Sequence, residues 1–434
     1  MRIKKRVFVM LALAAALLGC TPQTSERPSG MGEEPITLRL AWWGSEFRNN
    51  ATIQVIHRYE EQNPHINIEF EYSAFNEYWR KLAPYAAGNA LPDIIQMDIS
   101  YLSQYGTLDL LEDLEPYIQS GVIDASSISE NNLSGGKLGD KLYGMNLGVN
   151  ALFAYYDPEV FQASGMEPPA AAWTWDDFDQ MGEQLKGKGF YLGTVLTPEQ
   201  FFAYYLRQNG SSLFAKDGSR LGYEDDQLFI DYFSRMQRLA KDKLIFSPDI
   251  WTSDINESDR DPFYRGEALL GWGYSNQFIS IVKSYGKQLA IVPLPGPDSK
   301  QGLFLKPGMF FSITKNSKNK EEAAKFISFF VNDLEANKLL KGERGVPISS
   351  KLKEQLKPFV EPELAQVFEY LDWVEKNSSP MDPPDPVGTA EVTTVLRELN
   401  DLLLFGKITP EEAAAEFRVK ADGILASSKN GRVQ

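Results

Sequence analysis

Apolar and polar residues alternate from Ile36 to Ala41 (ITLRLA), which predicts a strand, and after a polar stretch Ile53, Ile56 and Tyr59 recur at helical spacing. Asn63-Pro64 stops that helix. Ile66 to Tyr72 (INIEFEY) alternates again, Phe75 to Tyr85 reads as a second helix broken by Gly88-Asn89, and Asp93 to Met97 (DIIQM) is a short buried strand. Strand, helix, strand, helix, strand within about 60 residues is the pattern of an α/β unit.

Beyond a glycine-rich stretch ending at Gly144, Leu142 to Tyr156 (LYGMNLGVNALFAYY) is apolar and extended. Helices follow at Pro158 to Ser164 and at Trp175 to Lys186, the second entered from the cap-like Thr174. The middle third is mostly helical, with aromatic clusters at Phe201-Phe202-Tyr204-Tyr205 and Phe229-Tyr232-Phe233. Strand patterns return at Ala268 to Trp272, Leu289 to Val292 and Met309 to Ile313. Amphipathic helices occupy Lys320 to Val331 and Leu334 to Leu340, and helices complete the chain at Lys351 to Phe359, Pro362 to Lys376, Ala390 to Phe405 and Pro410 to Leu425. The chain thus leaves one α/β unit for a second and returns. More than one connection between two lobes implies a ligand cleft between them, since sites favour domain interfaces and the carboxyl ends of sheet strands.

The amino-terminal pattern differs from all of this. Arg2, Lys4, Lys5 and Arg6 precede an apolar run of 12 residues, Val7 to Leu18, too short for a bilayer span but suited to a signal-peptide core. Leu17-Leu18-Gly19-Cys20 resembles the lipobox of bacterial lipoproteins, which implies that Cys20 is diacylated and becomes the first residue of the mature chain; an ordinary secretory signal with an incidental cysteine is the alternative. Thr21 to Pro35 is rich in Ser, Thr, Pro, Gly and Glu and reads as a flexible tether. Cys20 is the single cysteine, so no disulfide framework or cysteine-zinc site exists. The 434 residues, 43% hydrophobic, suffice for at least two cores. Net charge is −15, and without the four basic leader residues 40 cations face 59 acids, giving −19. Such a field repels phosphate backbones and makes a nucleic-acid partner untenable.

No GxxxxGK[ST], no GxGxxG after a strand and no GxSxG elbow is present, and His57 and His65 lack metal spacing, so no cofactor or metal is implied. Carboxylate pairs for glycosidase chemistry can be drawn almost anywhere among 59 acids and therefore point nowhere. Aromatic residues say more: they make up 12% of the chain, with eight Trp. Trp42-Trp43 ends the first strand, and one of two adjacent side chains is expected to leave the core and face the cleft. Trp272 and Tyr274 close another strand beside Gly271 and Gly273, and Trp173 with Trp175 forms a further spaced pair, whereas Trp79, Trp251 and Trp373 read as core. Apolar rings flanked by Asp98, Asn146, Asn150, Asn276 and Gln277 suit a sugar, whose CH face stacks while its hydroxyls take hydrogen bonds.

The lipobox, TLRLAWWGSE, YEEQNP, INIEFEY, ALPDIIQMDISYLSQY, GKLYGMNLGVNALFAYY, KNKEEAAKFISFF and GERGVPIS together resemble the extracellular solute-binding proteins, family 1, of bacterial ABC sugar importers, over nearly the whole mature chain. WWGSEFR, LSGGK, YYLR, DDQLF, YSNQ, FFVND and DPPDPVGTAEV resemble more narrowly the subgroup that takes up rhamnogalacturonan-derived oligosaccharides of pectin. The resemblance implies an α/β fold of two lobes, of the periplasmic-binding-protein type II, with a hinge and a ligand cleft between the lobes. It implies cleft roles for Trp42 and Trp43, hydroxyl contacts from Asp98 and Tyr101, a stacking platform of Trp272 and Tyr274, and a loop contact from Asp385. Crossovers are expected near Gly148 to Ala151, Met309 to Ile313 and Gly345 to Ile348, dividing the chain into a leader (1–19), a lipidated linker (20–35), a first lobe (36–149 and 313–345) and a second (150–312 and 346–430). The expected function is a non-enzymatic, monomeric, lipid-anchored receptor on the outer face of the cell membrane that passes an oligosaccharide to an ABC permease. A secreted pectin-active hydrolase or lyase, and a peptide or siderophore receptor, are the rival readings. A uronate ligand requires a cation in the cleft, because the acidic field offers it nothing and is screened beyond about 8 Å. Arg48 is the first choice for its bidentate fork, with Arg207 and Arg344 as alternates; simple pairing of Arg48 with Glu46 is the plainer role.

Overall fold

The computed structural model describes residues 35–194, 196–245, 261–296, 299–383 and 385–430. The leader, Cys20, the tether before Pro35 and Trp251 lie outside the described residues. Among those described, no helix is long and apolar enough to cross a membrane.

Among the described residues, eleven strands form two main sheets and a small hairpin. β1 (Ile36–Trp43) pairs in parallel with β2 (Ile66–Ser73) and β3 (Ile94–Met97). The helices α1 (Glu46–Gln62) and α2 (Phe75–Ala87) make the two crossovers, and α3 (Ile99–Thr107) follows β3. α1 begins at Ser45, whose side chain accepts from the Arg48 amide, and buries Val55, Ile56 and Tyr59. Next come the hairpin β4 (Lys137–Leu138) and β5 (Lys141–Leu142), then β6 (Met145–Asn150) and β7 (Leu152–Tyr156). The remaining strands are β8 (Tyr191–Gly193), β9 (Ala268–Tyr274), β10 (Ala290–Val292) and β11 (Lys306–Ile313).

The first sheet runs β2-β1-β3-β11-β6 and the second β10-β7-β9-β8. β6 and β7 are separated only by Ala151, so the chain leaves one sheet and enters the other in a single residue. β11 is hydrogen-bonded along its length to β3 and β6, so the whole of Lys306–Ile313 belongs to the first sheet. The expectation that residues up to 312 belong to the second lobe is therefore corrected; the return passage precedes Lys306. A third strand segment touches β6 where Val346 and Val149 exchange backbone bonds, 2.9 and 3.1 Å. Gly148 permits this approach, since a Cβ there would lie 2.5 Å from the Arg344 carbonyl oxygen.

Each sheet has its own core. Leu38, Leu40, Val55 and Ile56 are buried in the first lobe, while Phe202, Phe229, Tyr232 and Phe233 interlock in the second. The helix Trp175–Leu185 starts in a reciprocal capping box between Thr174 and Asp177. The carboxyl-terminal helices Thr389–Leu404 and Pro410–Asn430 pack on the second lobe through Gln227–Lys241, where Phe417 meets Phe229. Two α/β lobes, each with a mixed sheet and joined by several crossings, make the type II binding-protein fold.

Candidate functional site

Register builds the site. β1 and β3 run in parallel, so Trp43 and Asp98 both stand at the carboxyl edge of the first sheet. β11 runs the other way and pairs Phe310 with Met97, which carries its first residue, Lys306, past the end of β3 to the same edge. There Lys306 is the partner of Asn150, the last residue of β6. Two residues on, Leu152 of β7 pairs with Tyr274, the last residue of β9 in the second sheet. The single-residue crossing at Ala151 thus brings Lys306 and Tyr274 together, and the ammonium lies 4.4 Å from the centre of the Tyr274 ring. Ser275 fixes the crossing by donating from its amide to the Ala151 carbonyl, 2.9 Å, and accepting the Ala151 amide on its hydroxyl, 3.1 Å.

The Lys306 ammonium makes no ion pair or hydrogen bond with a described residue. Loss of surrounding water pulls its pKa down, opposed by the carboxylates of Asp385 and Asp98. Asp385 is exposed overall, yet desolvation by neighbouring protein is the first cause raising its carboxyl; Lys306 opposes the rise and Asp382 adds to it. Tyr274 is likewise pushed up, first by burial and then by Asp385 and Glu199. These mutual effects place Asp98, Lys306, Tyr274 and Asp385 in one electrostatic neighbourhood drawn from both lobes. Asp98 caps α3, its Oδ1 accepting from the Ser100 amide and hydroxyl at 2.9 and 2.5 Å, which leaves Oδ2 without a described partner. The Asn150 side-chain oxygen beside Lys306 is buried and unpartnered. A free ammonium, two carboxylates and an unsatisfied amide form a donor and acceptor set for hydroxyls.

Of the predicted aromatics, Trp272 and Tyr274 are half-buried. Trp272 lies parallel to Trp173, with ring centres 6.4 Å apart, meets Phe178 and Phe201 edge-on, and donates from Nε1 to the Thr194 carbonyl at 3.2 Å. Trp42 and Trp43 depart from expectation. Trp42 is fully buried, packs on Tyr72 and Phe70, and donates from Nε1 to Asn49 Oδ1 at 2.9 Å. Trp43 is 8% exposed and packs on Tyr78, Trp79 and Phe75 from the opposite side of the sheet. Trp173 and Trp175 are buried too, each with its indole N–H bonded, to the Pro293 carbonyl and to Gln208. Tyr101 stacks on Trp79 at 3.7 Å and 9°, so Trp79 is core and the half-buried Tyr101 is its outer layer. The first-lobe rings that reach solvent include Phe70 and Tyr72 on the edge strand β2, and Phe47 and Phe75, 48% and 39% exposed, at the starts of α1 and α2 and hence beyond the carboxyl ends of β1 and β2. Phe47 and Phe75 were missed in the sequence; their signal was position one or two residues inside a helix that follows a parallel strand.

All three arginines are held by groups of the protein, although Arg344 has no ion pair among the described residues and its Nη1 is buried without a partner. Arg48 donates from Nε to Glu343 at 2.6 Å and from Nη1 to the Trp43 carbonyl at 3.2 Å, so its partner is Glu343 and not Glu46. Arg207 is buried and bonded to Asp382, Ser379, the Pro380 carbonyl and the Gly302 carbonyl, tying the 379–382 loop to the second lobe. Arg344 is 3% exposed, bonded to Gln96 and Thr52 and set against Phe330 and Phe311. Lys306, which sequence reasoning passed over, is the cation that the two registers bring to the junction of the sheets.

With this geometry established, comparison with known proteins is informative. A family model for "Bacterial extracellular solute-binding protein" matches residues 54–368. The arabinooligosaccharide-binding protein of Bacillus subtilis (strain 168) is 25% identical over 346 residues, 76% of each chain. Among solved structures, an extracellular solute-binding protein family 1 from Alicyclobacillus acidocaldarius superposes with a TM-score of 0.82 at 26% identity, covering 91% of this chain and all of the other. A periplasmic oligogalacturonide binding protein from Yersinia enterocolitica gives 0.77 at 21% identity, with 91% and 100% coverage. A match across most of the chain, on a fold shared throughout, means that this protein belongs to the bacterial extracellular solute-binding proteins.

Proposed function

We propose that the protein captures a pectin-derived oligosaccharide, of the rhamnogalacturonan type, between its lobes and presents it to the transmembrane subunits of an ABC importer. The observation that carries this reading is the convergence of Lys306, Asp98, Asp385 and Tyr274 from both sheets around the Ala151 crossing. Relatives described as binding arabinooligosaccharide and oligogalacturonide support the ligand class. The lobes divide near 150, 305 and 346, and these crossings act as the hinge. Sugar shifts the equilibrium toward closure because only the closed state contacts it from both sides. A micromolar ligand needs about 8 kcal/mol at 1 M standard state, within reach of stacking on Trp272 and Tyr274 plus several hydrogen bonds. Diacylated Cys20 holds a monomer at the outer membrane face, and the protein does not cleave its ligand.

A thermal-shift panel tests the proposal, since a ligand that binds only the native state raises stability by RT ln(1 + [L]/Kd). A galacturonate–rhamnose disaccharide, digalacturonate, arabinobiose, a tripeptide and a ferric siderophore form the panel. A rise with the galacturonate–rhamnose disaccharide and none with peptide or siderophore is expected. A rise with only the last two, or new reducing ends on incubation with pectin digests, overturns it.

A further inference from the structure

We propose that Lys306 reads a single carboxylate of the ligand while Asp98 and Asp385 turn a second one away, so that the captured sugar carries one uronate beside neutral units. This rests on the oligosaccharide reading above and narrows it. The three arginines are engaged by Glu343, by Asp382 and by Gln96 with Thr52, whereas among the described residues the Lys306 ammonium has the Tyr274 ring beneath it and no ion pair or hydrogen bond. An ammonium on a four-carbon stem can leave an aromatic face for a carboxylate without breaking a salt bridge. Pairing with Asn150 at the strand end fixes its backbone at the junction of the two lobes, where a bound sugar must pass.

Charge arithmetic decides how many carboxylates fit. One cation faces two aspartates, and Glu199 stands close enough to Tyr274 to influence it from the second lobe. A first carboxylate gains direct contact with the ammonium. A second, one sugar further along, meets the carboxylates of Asp98 and Asp385 and no further cation among the described residues that act on Lys306. Asp98 Oδ2 and the Asn150 side-chain oxygen are instead acceptors for the hydroxyls of a neutral sugar.

Calorimetry on the intact protein tests this with three probes: the galacturonate–rhamnose disaccharide, its carboxyl-reduced neutral analogue, and digalacturonate. Lys306→Gln should weaken the disaccharide about tenfold or more, the scale of a charged hydrogen bond, and the reduced analogue by less than about threefold. Asp385→Asn should improve digalacturonate more than the disaccharide. In case Lys306→Gln does not fold, salt titration of the wild type provides the second measurement: disaccharide affinity should fall with salt and that of the reduced analogue should not. Equal losses on both probes in the variant, equal affinity of the wild type for both, or a salt response shared by both overturns the role of Lys306. Digalacturonate binding as tightly as the mixed disaccharide overturns the exclusion of a second carboxylate. If the wild type binds none of the three, the oligosaccharide reading itself fails.

Discussion

Replacing Trp272 by alanine removes a ring with two jobs, and the structure allows them to be separated. On its inner side the indole contacts Trp173, Phe178 and Phe201, and its N–H donates to Thr194. Complete burial would make Trp→Ala cost about 3 to 5 kcal/mol; a half-buried ring with these contacts should cost about 2 to 3. Its exposed side is the proposed stacking platform, whose loss should weaken sugar by about 1 to 3 kcal/mol. Stability and sugar binding should therefore fall together in this variant. Trp272→Phe keeps an aromatic face but gives up the Thr194 hydrogen bond, so it should lose about 1 kcal/mol of stability and most of the binding should survive. Urea denaturation, with midpoint and slope compared, measures the first quantity, and calorimetry on folded variant measures the second. If folded Trp272→Ala binds the disaccharide as the wild type does, the ring is core alone; if stability is unchanged, the packing argument is wrong.

Arg48→Ala should cost about 1.5 to 3 kcal/mol by stranding Glu343, with side-chain exposures of 14% and 17% in the pair, and should affect uronate and neutral ligands alike. A double-mutant cycle with Glu343→Ala that finds no coupling refutes the pairing. Thr174→Ala should lower stability by about 1 kcal/mol at neutral pH through loss of the capping box. The Thr174 backbone N–H and then its hydroxyl hold the Asp177 carboxyl below the usual carboxylate range; the variant removes the hydroxyl's share, complete above that range and lost as pH falls through the lowered value, while the Asp177 amide donating to the Thr174 hydroxyl does not titrate, so the gap narrows in acid without closing. Melting curves in which the gap between the two proteins stays constant into strong acid would contradict it. Cys20→Ser should release the protein from, or stall it before, the membrane while leaving sugar binding intact; unchanged retention in membrane fractions refutes the anchor.

The fold was readable where one physical rule acted alone. Alternation and helical spacing located β1, β2, α1 and α2 to within a few residues, because each is a local pattern punctuated by Asn63-Pro64 or Gly88-Asn89. The capping box at Thr174 was equally local. β11 was harder: its first residues, Lys306-Pro307-Gly308, carry no strand propensity, and only pairing with Asn150 and Val149 makes them strand. The return crossing was consequently set too late in the chain.

The site was less legible, and Trp42 and Trp43 show why. Adjacent strand residues do point to opposite faces, but an α/β sheet is covered on both, by α1 on one side and α2 on the other, so leaving one core meant entering a second. Exposure passed instead to Phe47 and Phe75, where helices begin beyond the strands' ends. Lys306 was invisible for a different reason: its significance depends on two registers, β11 against β6 and β7 against β9, linked through Ala151. Neither is encoded within reach of a local window. Rings bury well on either face of a sheet, whereas a lysine ammonium that loses water without a partner carries a desolvation cost that an anionic ligand would relieve. The proposed site rests on that asymmetry: at the Ala151 crossing Lys306 is partly desolvated and has no ion pair among the described residues, while the aromatic pairs Trp42-Trp43 and Trp173 with Trp175 are satisfied in their cores.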